Sequence, residues 1–384
     1  MKIAVLTLPL HNNYGGNLQA YALMETLKNL GHTPYLINIT PLKLSQKEAV
    51  KLIGKQVIKR LLRKHTGNPL IVDDPEEIKR KIAINSDFFI GKYINPKTSI
   101  TVSSTNDFRR VASMNFDAFV VGSDQVWRKQ YTKHYLYNYF FDFTNQLETR
   151  RISYAASFGV DSWQFSQSET TKLKRLANNF DGISVREETA VSLCEKYFGC
   201  SAELVLDPTL LLTTNDYTAL IDSQRSALPA GTMMTYVLDI STEKKALIDR
   251  ISHDGNFTPY TVNPQSKSKN APVDDRVYPP VTDWIAGFKN AQFIVTDSFH
   301  GTVFSILFNK PFIVIANRNR GITRFESILK QFGLLNRLLF ETEEYNPGIL
   351  RESIDWEKVN FNLSKKRAKS LNFLKEKLLH NHGA

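Results

Sequence analysis

The stretch VTDSFHGTVFS, residues 295–305, contains the junction between a predicted strand and a predicted helix. Asp297 or Ser298 is suited to cap the helix N-terminus, which places His300 in the first turn. A histidine there can relay a proton or donate a hydrogen bond, and a satisfied buried histidine is the alternative. Gly301 is a poor helix former, so its presence predicts close approach by a ligand or by another backbone segment.

Short β-branched or aromatic runs alternate with helical stretches along the whole chain, which predicts parallel α/β sheets. The predicted strands cover residues 2–8, 34–38, 116–121, 151–156, 182–185, 203–206, 232–239, 258–262, 292–296 and 311–316. We expect two Rossmann-like domains that face a cleft, at residues 1–215 and 216–362. A basic C-terminal helix at 363–384, helical over about 363–380, follows them.

The composition of the 384 residues is that of an ordinary globular protein, with 42% hydrophobic and 23% charged residues. Intrinsic disorder, collagen and coiled coil are therefore excluded. No apolar run approaches the roughly 20 residues of a membrane span, and the start of the chain reads as a strand and not as a signal peptide. The two cysteines fit neither a disulfide framework nor a zinc site, so we expect a reduced, cytoplasmic compartment.

The net charge of +11 is concentrated in two segments. Residues 41–65 contain eight lysines and arginines against one acid, and residues 362–384 contain six against one. Residues 45–65 of the first segment are interpreted as a basic amphipathic helix in an insertion near 41–100. Contact with an anionic membrane is one interpretation, and a packed helix with a solvated basic face is the commoner one. No nucleic-acid-binding motif accompanies the charge, so we expect no nucleic acid partner.

A glycine pair, Gly15-Gly16, follows the first predicted strand and is flanked by Asn13 and Asn17. Paired glycines allow backbone N–H groups at a helix N-terminus to approach an anion. A tight turn that requires positive φ is the alternative. The segment is neither a dinucleotide fingerprint nor a P-loop, so nucleotide binding does not follow from it.

Polar residues also follow the next strands of the first half. Asp124 and the nearby Trp127 could hold a sugar, or Asp124 could cap a helix while Trp127 belongs to the core. Ser157 lies among small residues that permit close approach of a ligand. Arg186 is placed to clamp a phosphate or carboxylate, with a structural ion pair to Glu187, Glu188 or Asp207 as the alternative. The segment at 206–209 is interpreted as a structural corner.

These motifs, taken together and in order, resemble the polysaccharide pyruvyl transferase family. The resemblance rests on YGGNLQAYAL at 14–23, VGSDQVW at 121–127, SVRE at 184–187 and TDSFHG at 296–301. It implies a fold similar to the two-domain GT-B class and transfer of a pyruvyl unit from phosphoenolpyruvate to two hydroxyls of one sugar. Some relatives carry Arg two residues before the histidine, where this chain has Ser298, so Arg318 and Arg320 become candidates for the donor-binding cation.

The predicted site follows from the motifs and from the resemblance. Its catalytic residues are His300, Arg186 and Asp124, and its donor-binding residues are Gly15, Gly16, Asn17, Ser157, Ser298, Gly301, Arg318 and Arg320. No metal motif is present, and phosphoenolpyruvate acts as a co-substrate, so no cofactor is expected. The acceptor is a sugar, with a lipid-linked precursor at the inner membrane face as one hypothesis. Two alternatives remain, a glycosyltransferase that uses a nucleotide sugar and a non-catalytic carbohydrate-binding protein.

Overall fold

The computed structural model describes residues 1–40, 74–94, 99–132, 134–145, 147–223, 229–317 and 321–379. The predicted basic helix at 45–65 and the candidates Arg318 and Arg320 lie outside the described residues.

The first sheet contains seven parallel strands in the order β3-β2-β1-β4-β5-β6-β7. Its strands are β1 (Lys2–Leu6), β2 (Thr33–Ile39), β3 (Ser99–Val102), β4 (Ala118–Asp124), β5 (Arg150–Ala156), β6 (Gly182–Val185) and β7 (Glu203–Leu204). Strand β4 is buried at every position, as expected for the centre of a sheet that helices cover on both faces.

The helices of this first half cover both faces of that sheet. They are α1 (Tyr14–Asn29), α2 (Glu76–Phe89), α3 (Asp107–Ala112), α4 (Lys129–Thr132), α5 (Gln167–Ala177), α6 (Glu188–Leu193) and α7 (Thr214–Asp222). Helices α5 and α7 each begin with a capping box, in which Ser166 and Thr213 exchange hydrogen bonds with the third helical residue.

The second sheet contains five parallel strands in the order β12-β11-β10-β8-β9. Its strands are β8 (Met233–Tyr236), β9 (Pro259–Tyr260), β10 (Phe293–Thr296), β11 (Phe312–Ile315) and β12 (Leu338–Leu339). The helices are α8 (Thr242–Asp254), α9 (Val281–Asn290), α10 (Phe299–Leu307), α11 (Ile322–Phe332) and α12 (Trp356–Leu378).

The two halves share one hydrophobic core where they meet. The Tyr14 ring of α1 stacks on Trp284 of α9 with centroids 5.9 Å apart, and the Tyr14 hydroxyl donates to the Pro279 carbonyl at 2.8 Å. Tyr217 of α7 packs edge-on against Phe304 of α10 at 4.9 Å. These contacts hold the carboxyl edges of the two sheets in a fixed relation.

The last helix, α12, connects the two halves of the chain. It follows the second sheet, but its later turns pack on the first half of the chain. Arg367 donates to the carbonyls of Leu210 and Leu212, and the Ser370 hydroxyl accepts from the backbone N–H of Leu206 at 3.0 Å. The helix begins earlier than residue 363 because Asp355 caps it by accepting from the N–H of Lys358.

The predicted α/β fold with two parallel sheets is confirmed. Two strands of these sheets, β3 and β12, were not predicted from the sequence. Both are short edge strands, for which the sequence pattern is weak. Strand β4 extends three residues past the predicted end, so Asp124 belongs to the strand and does not cap a helix. No helix among the described residues is long and apolar enough to cross a membrane.

Candidate functional site

Two helix N-termini meet where the sheets face each other, and they form the centre of the site. Asn13 caps α1 by accepting from the Gly16 N–H at 3.1 Å, and Ser298 caps α10 by accepting from the Gly301 N–H at 3.3 Å. His300 lies in the first turn of α10, as predicted, and presses against α1. A methyl carbon added at Gly15 would lie only 2.1 Å from His300 Nδ1, so this glycine provides the space for the imidazole ring.

A buried ionic cluster lies next to His300. One guanidinium nitrogen of Arg186 donates to Asp207 Oδ2 at 2.8 Å, and another donates to Asp124 Oδ1 at 2.8 Å. The His300 Nε2 lies 3.7 Å from Asp207 Oδ2, beyond hydrogen-bonding distance. The structure therefore brings together the three predicted catalytic residues, and it adds Asp207, which the sequence analysis took for a structural corner.

The electrostatics of this cluster lower the pKa of its two aspartates. Burial by itself would raise the pKa of Asp207, but the neighbouring His300 and Arg186 lower that pKa well below its usual range. The pKa of Asp124 is also lowered, because Arg186, His300 and Arg324 outweigh its burial. Burial raises the pKa of Glu187, whose carboxylate instead accepts from the Phe158 N–H at 3.0 Å.

The local backbone explains how the two aspartates reach Arg186. Asp124 ends β4 with a positive φ of 72°, and Gly122, with φ of 125°, leaves no room for a side chain, since a Cβ there would lie 2.0 Å from the Tyr154 carbonyl oxygen. Asp207 follows β7 and also accepts from the Thr209 N–H at 3.0 Å. It is thus both the corner residue and one of the ion-pair partners of Arg186 that were considered from the sequence.

The guanidinium group of Arg186 forms ion pairs with side chains of the protein itself. Both terminal nitrogens pair with aspartates, so the structural ion pair weighed from the sequence is present, and it involves Asp207 and Asp124. Glu187 lies 3.9 Å from the Arg186 Nε, which is buried without a hydrogen-bond partner. The His300 Nε2 is likewise buried without one. Both atoms have therefore lost their hydration without a compensating hydrogen bond, which costs about 1–3 kcal/mol for each group.

A small cavity of about 60 Å³ is lined by two residues of this cluster, Asp124 and His300. Its lining combines residues from both halves of the chain, namely Asn13, Asp124, Gln125, Tyr131, Leu238, Ser298, Phe299, His300 and Arg324. The cavity lies at the carboxyl ends of parallel strands, which is where α/β proteins bind ligands.

Arg324 is a residue of this cavity that the sequence analysis missed. It lies in the first turn of α11, is 5% exposed, and places its guanidinium carbon 5.5 Å from the centre of the Phe299 ring. Burial and the neighbouring Arg186 lower the pKa of Arg324 to about 10, so it remains a cation at neutral pH. It lines the same cavity as Ser298, the position at which some relatives carry an arginine.

Other predicted site residues have mainly structural contacts. The Asn17 amide donates to the His11 carbonyl at 2.8 Å, and the Ser157 hydroxyl accepts from the Gly159 N–H at 3.0 Å. A Cβ at Gly301 would lie 2.2 Å from the Thr296 hydroxyl, so the close neighbour is a side chain and not the ligand or backbone segment that was predicted. Trp127 is fully buried and stacks on Phe140, which confirms its place in the core.

Asp297, the acid of the TDSFHG motif, holds two loops together beside the site. It is fully buried and accepts from the N–H groups of Leu238 and Asp239 at 2.6 and 3.2 Å. Lys244 and the Asn317 amide donate to its second oxygen at 2.6 and 3.1 Å. Asp297 therefore fixes the loop after β8 against the start of α10, while Ser298 performs the capping.

The described part of the chain contains no group of three or more His, Cys, Asp or Glu side chains that could hold a metal ion.

The sequence of the chain from residue 13 to residue 319 matches a family model described as polysaccharide pyruvyl transferase. The chain belongs to the polysaccharide pyruvyl transferase family. The match includes Gly15, Asp124, Arg186 and His300, so the motifs that form the site lie within it. The family identifies the chain as a transferase of polysaccharide biosynthesis and implies a sugar acceptor. A search of curated protein sequences gives no match.

Solved structures with the same overall architecture confirm the predicted GT-B-like fold of this family member. UGT89C1 from Arabidopsis thaliana, in complex with UDP-L-rhamnose, is 12% identical with a TM-score of 0.52, and the alignment covers 98% of this chain and 99% of that one. The S. aureus MnaA–UDP structure is 13% identical with a TM-score of 0.50, over 98% and 96%. At this level of identity the likeness concerns the fold alone.

Proposed function

We propose that the protein transfers the pyruvyl unit of phosphoenolpyruvate to two hydroxyls of one sugar of a cell-surface polysaccharide or its precursor, forming a cyclic ketal and releasing phosphate. One observation carries this proposal within the family. His300 and the buried Arg324 line one small cavity, at which the N-termini of α1 and α10 converge.

The charge of this cavity suits a small, highly charged anion. Phosphoenolpyruvate carries a phosphate and a carboxylate within a few bonds. Helix N-termini attract anions through unpaired N–H groups and through the helix dipole, and an arginine binds phosphate or carboxylate in a two-point geometry. Arg324 supplies the guanidinium, and α1 and α10 supply the helix N-termini. Arg324 lines the same cavity as Ser298. The cavity therefore has a cation, although this chain lacks the arginine that some relatives carry at the position of Ser298.

Ketal formation requires that a proton is added to the methylene carbon of the donor and that each of the two sugar hydroxyls loses its proton. The methylene carbon of the donor takes a proton and becomes a methyl group, while the first sugar hydroxyl bonds to the neighbouring carbon and loses its proton. The second hydroxyl then displaces phosphate from the same carbon, and its proton leaves with the phosphate or a base. We assign the proton-carrying role to His300, for which general acid–base catalysis contributes about 10²–10⁴-fold.

Asp207 and Arg186 act through their neighbours. The ionised Asp207 carboxylate, 3.7 Å from His300 Nε2, stabilises the imidazolium that forms when the ring takes a proton. Arg186 holds Asp207 and Asp124 in place through its two ion pairs. Asp124 lines the cavity and is the candidate for orienting the acceptor hydroxyls.

The second candidate is a glycosyltransferase that uses a nucleotide sugar, and the fold neighbours that bind UDP or UDP-L-rhamnose favour it. The cavity at His300 has about 60 Å³, which is below the roughly 300 Å³ at which pockets for drug-sized ligands begin, so its volume favours neither donor.

Phosphate release decides between these functions. We expect the protein to release phosphate from phosphoenolpyruvate in the presence of a galactoside or mannoside acceptor, with a matching ketal detected by mass spectrometry. Thermal unfolding should shift upward with phosphoenolpyruvate and not with UDP-sugars. Stabilisation by UDP-sugars alone would support the glycosyltransferase, and binding of saccharides without turnover of either donor would support a carbohydrate-binding protein.

We further propose a cytoplasmic reaction on a lipid-linked acceptor at an anionic membrane surface. Support comes from the basic last helix, on which Lys365, Lys369 and Lys375 are exposed together with Phe361. The protein should sediment with vesicles that contain anionic lipid at low salt and should not sediment with neutral vesicles. Absence of binding to the anionic vesicles removes this part of the proposal.

A further inference from the structure

The two halves of the chain also meet where α11 begins. Gly321 of the second half directly precedes this helix with a φ of 89°, and a Cβ there would lie 2.2 Å from the carbonyl oxygen of Gly159 in the first half. The same Cβ would lie 3.4 Å from the Nε of Arg324, which follows in the first turn of α11. The start of the helix that carries Arg324 therefore packs directly on the backbone of the first half.

Helix α11 contacts the first half at a second point, one turn beyond Arg324. The backbone N–H of Glu188 donates to the Ser327 hydroxyl at 3.3 Å, and Ser327 is 4% exposed. Arg324 thus lies between two contacts with the first half, Gly321 before it and Ser327 after it. The position of its guanidinium in the catalytic cavity therefore depends on how α11 is attached to the other half of the chain.

Glu187 holds the part of the first half that touches Gly321. It is fully buried, and its Oε1 accepts from the N–H groups of Phe158 and Gly159 at 3.0 and 3.4 Å. Hydrogen bonds from backbone N–H groups to a carboxylate are stronger than those between neutral groups. The other oxygen of Glu187 lies 3.9 Å from the Arg186 Nε, beyond hydrogen-bonding distance. Glu187 is therefore attached more closely to the turn at 158–159 than to Arg186.

We infer that Glu187 is a positioning residue for Arg324, acting through the turn at 158–159 and the contact of that turn with Gly321. This inference rests on the proposed function, in which Arg324 binds the anionic donor. Arg324 is 5% exposed, so its side chain has little free space in which to compensate for a displacement of α11. His300 belongs to α10 and keeps its place in such a displacement. Loss of the attachment therefore weakens donor binding more than it slows the proton transfer.

The first test adds one methyl group at either end of α11. Gly321→Ala places a Cβ against the Gly159 carbonyl oxygen. Gly333→Ala is the matched control, because Gly333 has a φ of 70° and no described atom of the protein lies within 4 Å of a Cβ there. Both substitutions strain a backbone with positive φ, so the contact with the first half is what distinguishes them. Binding of phosphoenolpyruvate and of inorganic phosphate is measured by titration calorimetry, and folding by thermal unfolding.

Gly321→Ala should weaken binding of phosphoenolpyruvate by about tenfold, which is the effect of losing a hydrogen bond to a charged group, whereas Gly333→Ala should leave the affinity within about twofold. In the Arg324→Gln background, Gly321→Ala should lower the affinity no further, because a residue that acts through Arg324 has no effect without it. An equal loss in the two glycine variants, or a full additional loss in the Arg324→Gln background, would overturn the inference.

The second test changes Glu187 itself. Glu187→Ala removes the acceptor of the turn and should weaken binding of phosphoenolpyruvate by about tenfold. Glu187→Gln keeps a carbonyl oxygen for the Phe158 N–H, so it should retain most of the wild-type affinity. Equal affinity of these two variants for phosphoenolpyruvate would contradict the inference. If Glu187→Ala does not fold, Gly321→Ala and its combination with Arg324→Gln decide the matter.

A separate assay of phosphate release from phosphoenolpyruvate distinguishes this inference from the proposed function. In turnover, Gly321→Ala should raise the KM for phosphoenolpyruvate and leave kcat near the wild-type value. Anion binding that depends on Gly321 and Arg324 in this manner, without turnover, refutes the function and keeps the inference. Turnover with an unchanged KM in Gly321→Ala keeps the function and refutes the inference. A wild-type protein that binds neither phosphoenolpyruvate nor phosphate contradicts both.

Discussion

Asp207 in the first half and Asp297 in the second half are both buried at the carboxyl edge of their sheet, and the two have different partners. Asp207 in the first half faces two side chains of the site, with Arg186 at 2.8 Å and His300 Nε2 at 3.7 Å. Asp297 in the second half faces backbone N–H groups, Lys244 and Asn317, and none of these lines the cavity except Leu238.

The difference shows that burial and charge do not by themselves identify a functional carboxylate. Asp207 and Asp297 are both almost fully buried, and both are paired with a cation. Only Asp207 has a titratable neighbour that lacks a hydrogen-bond partner, so a change at Asp207 alters the properties of that neighbour. A change at Asp297 loosens a loop. The following predictions test this distinction, in order of decreasing expected effect.

His300→Ala should lower kcat by about 10²–10⁴-fold, because the variant loses the group that carries the proton. The substitution leaves the ion pairs of Arg186 intact, so the protein should remain folded. Turnover is measured as phosphate release, and folding is checked by circular dichroism and thermal unfolding. Near-native turnover in a correctly folded variant would remove His300 from the mechanism.

Asp207→Asn should lower kcat by about a hundredfold, since misplacing a catalytic group by about 1 Å costs that much. The matched variant Asp297→Asn should keep kcat within a few-fold of the wild-type value while lowering the melting temperature, because it weakens the attachment of one loop. Steady-state kinetics and thermal unfolding of both variants provide the test. An equal loss of kcat in both would show that the two aspartates act alike.

Gly15→Ala should lower kcat by about ten- to a hundredfold, because the added methyl group overlaps with His300 Nδ1 and overpacking costs about 1–3 kcal/mol. Gly16→Ala is the control. A Cβ at Gly16 lies 3.3 Å from the Asn13 side chain, a close contact that a side chain can relieve by a small shift. Its kcat should stay near the wild-type value, and a large loss there would indicate that the backbone of α1 is itself sensitive.

Arg324→Gln should raise the KM for phosphoenolpyruvate by about tenfold or more, because a hydrogen bond to a charged group contributes about 1.5–3 kcal/mol. Arg324→Lys should recover part of this loss. Lys330→Gln, in the same helix but on the exposed surface with an ion pair to Glu188, is the control and should leave KM unchanged. An unchanged KM in Arg324→Gln would transfer the donor contact to another cation.

The contribution of Asp207 to stability should depend on pH in the acid range. Its folded pKa lies below the unfolded value of about 3.9. Its stabilising contribution is therefore fully present above that value and is lost as pH falls below about 4. Denaturant unfolding of wild-type protein and of Asp207→Asn should show a difference in free energy at pH 7 that decreases on acidification below pH 4. A difference that is constant across this range would contradict the assigned ionisation.

The sequence predicted the parts of the site that follow a local pattern. His300 and Gly15 were found because each lies where a buried strand passes into a helix, and that junction is visible over a few residues. The partners of Arg186 depend on contacts across 62 and 21 residues, which no periodicity records. Arg324 was missed because it lies in a helix whose start carries no capping side chain, and because Arg318 and Arg320 seemed closer to the preceding strand.

The attachment of α12 to residues 206–212 has a consequence for biosynthesis. The strands of the first sheet, all within residues 2–204, can pair early in translation, but the backbone just before Asp207 receives its anchoring hydroxyl from Ser370. The backbone that carries this carboxylate therefore receives its last anchor only after the ribosome has made the last helix. A nascent chain that stalls before that point would hold Asp207 through Arg186 and Thr209 but would lack the hydrogen bond to Leu206.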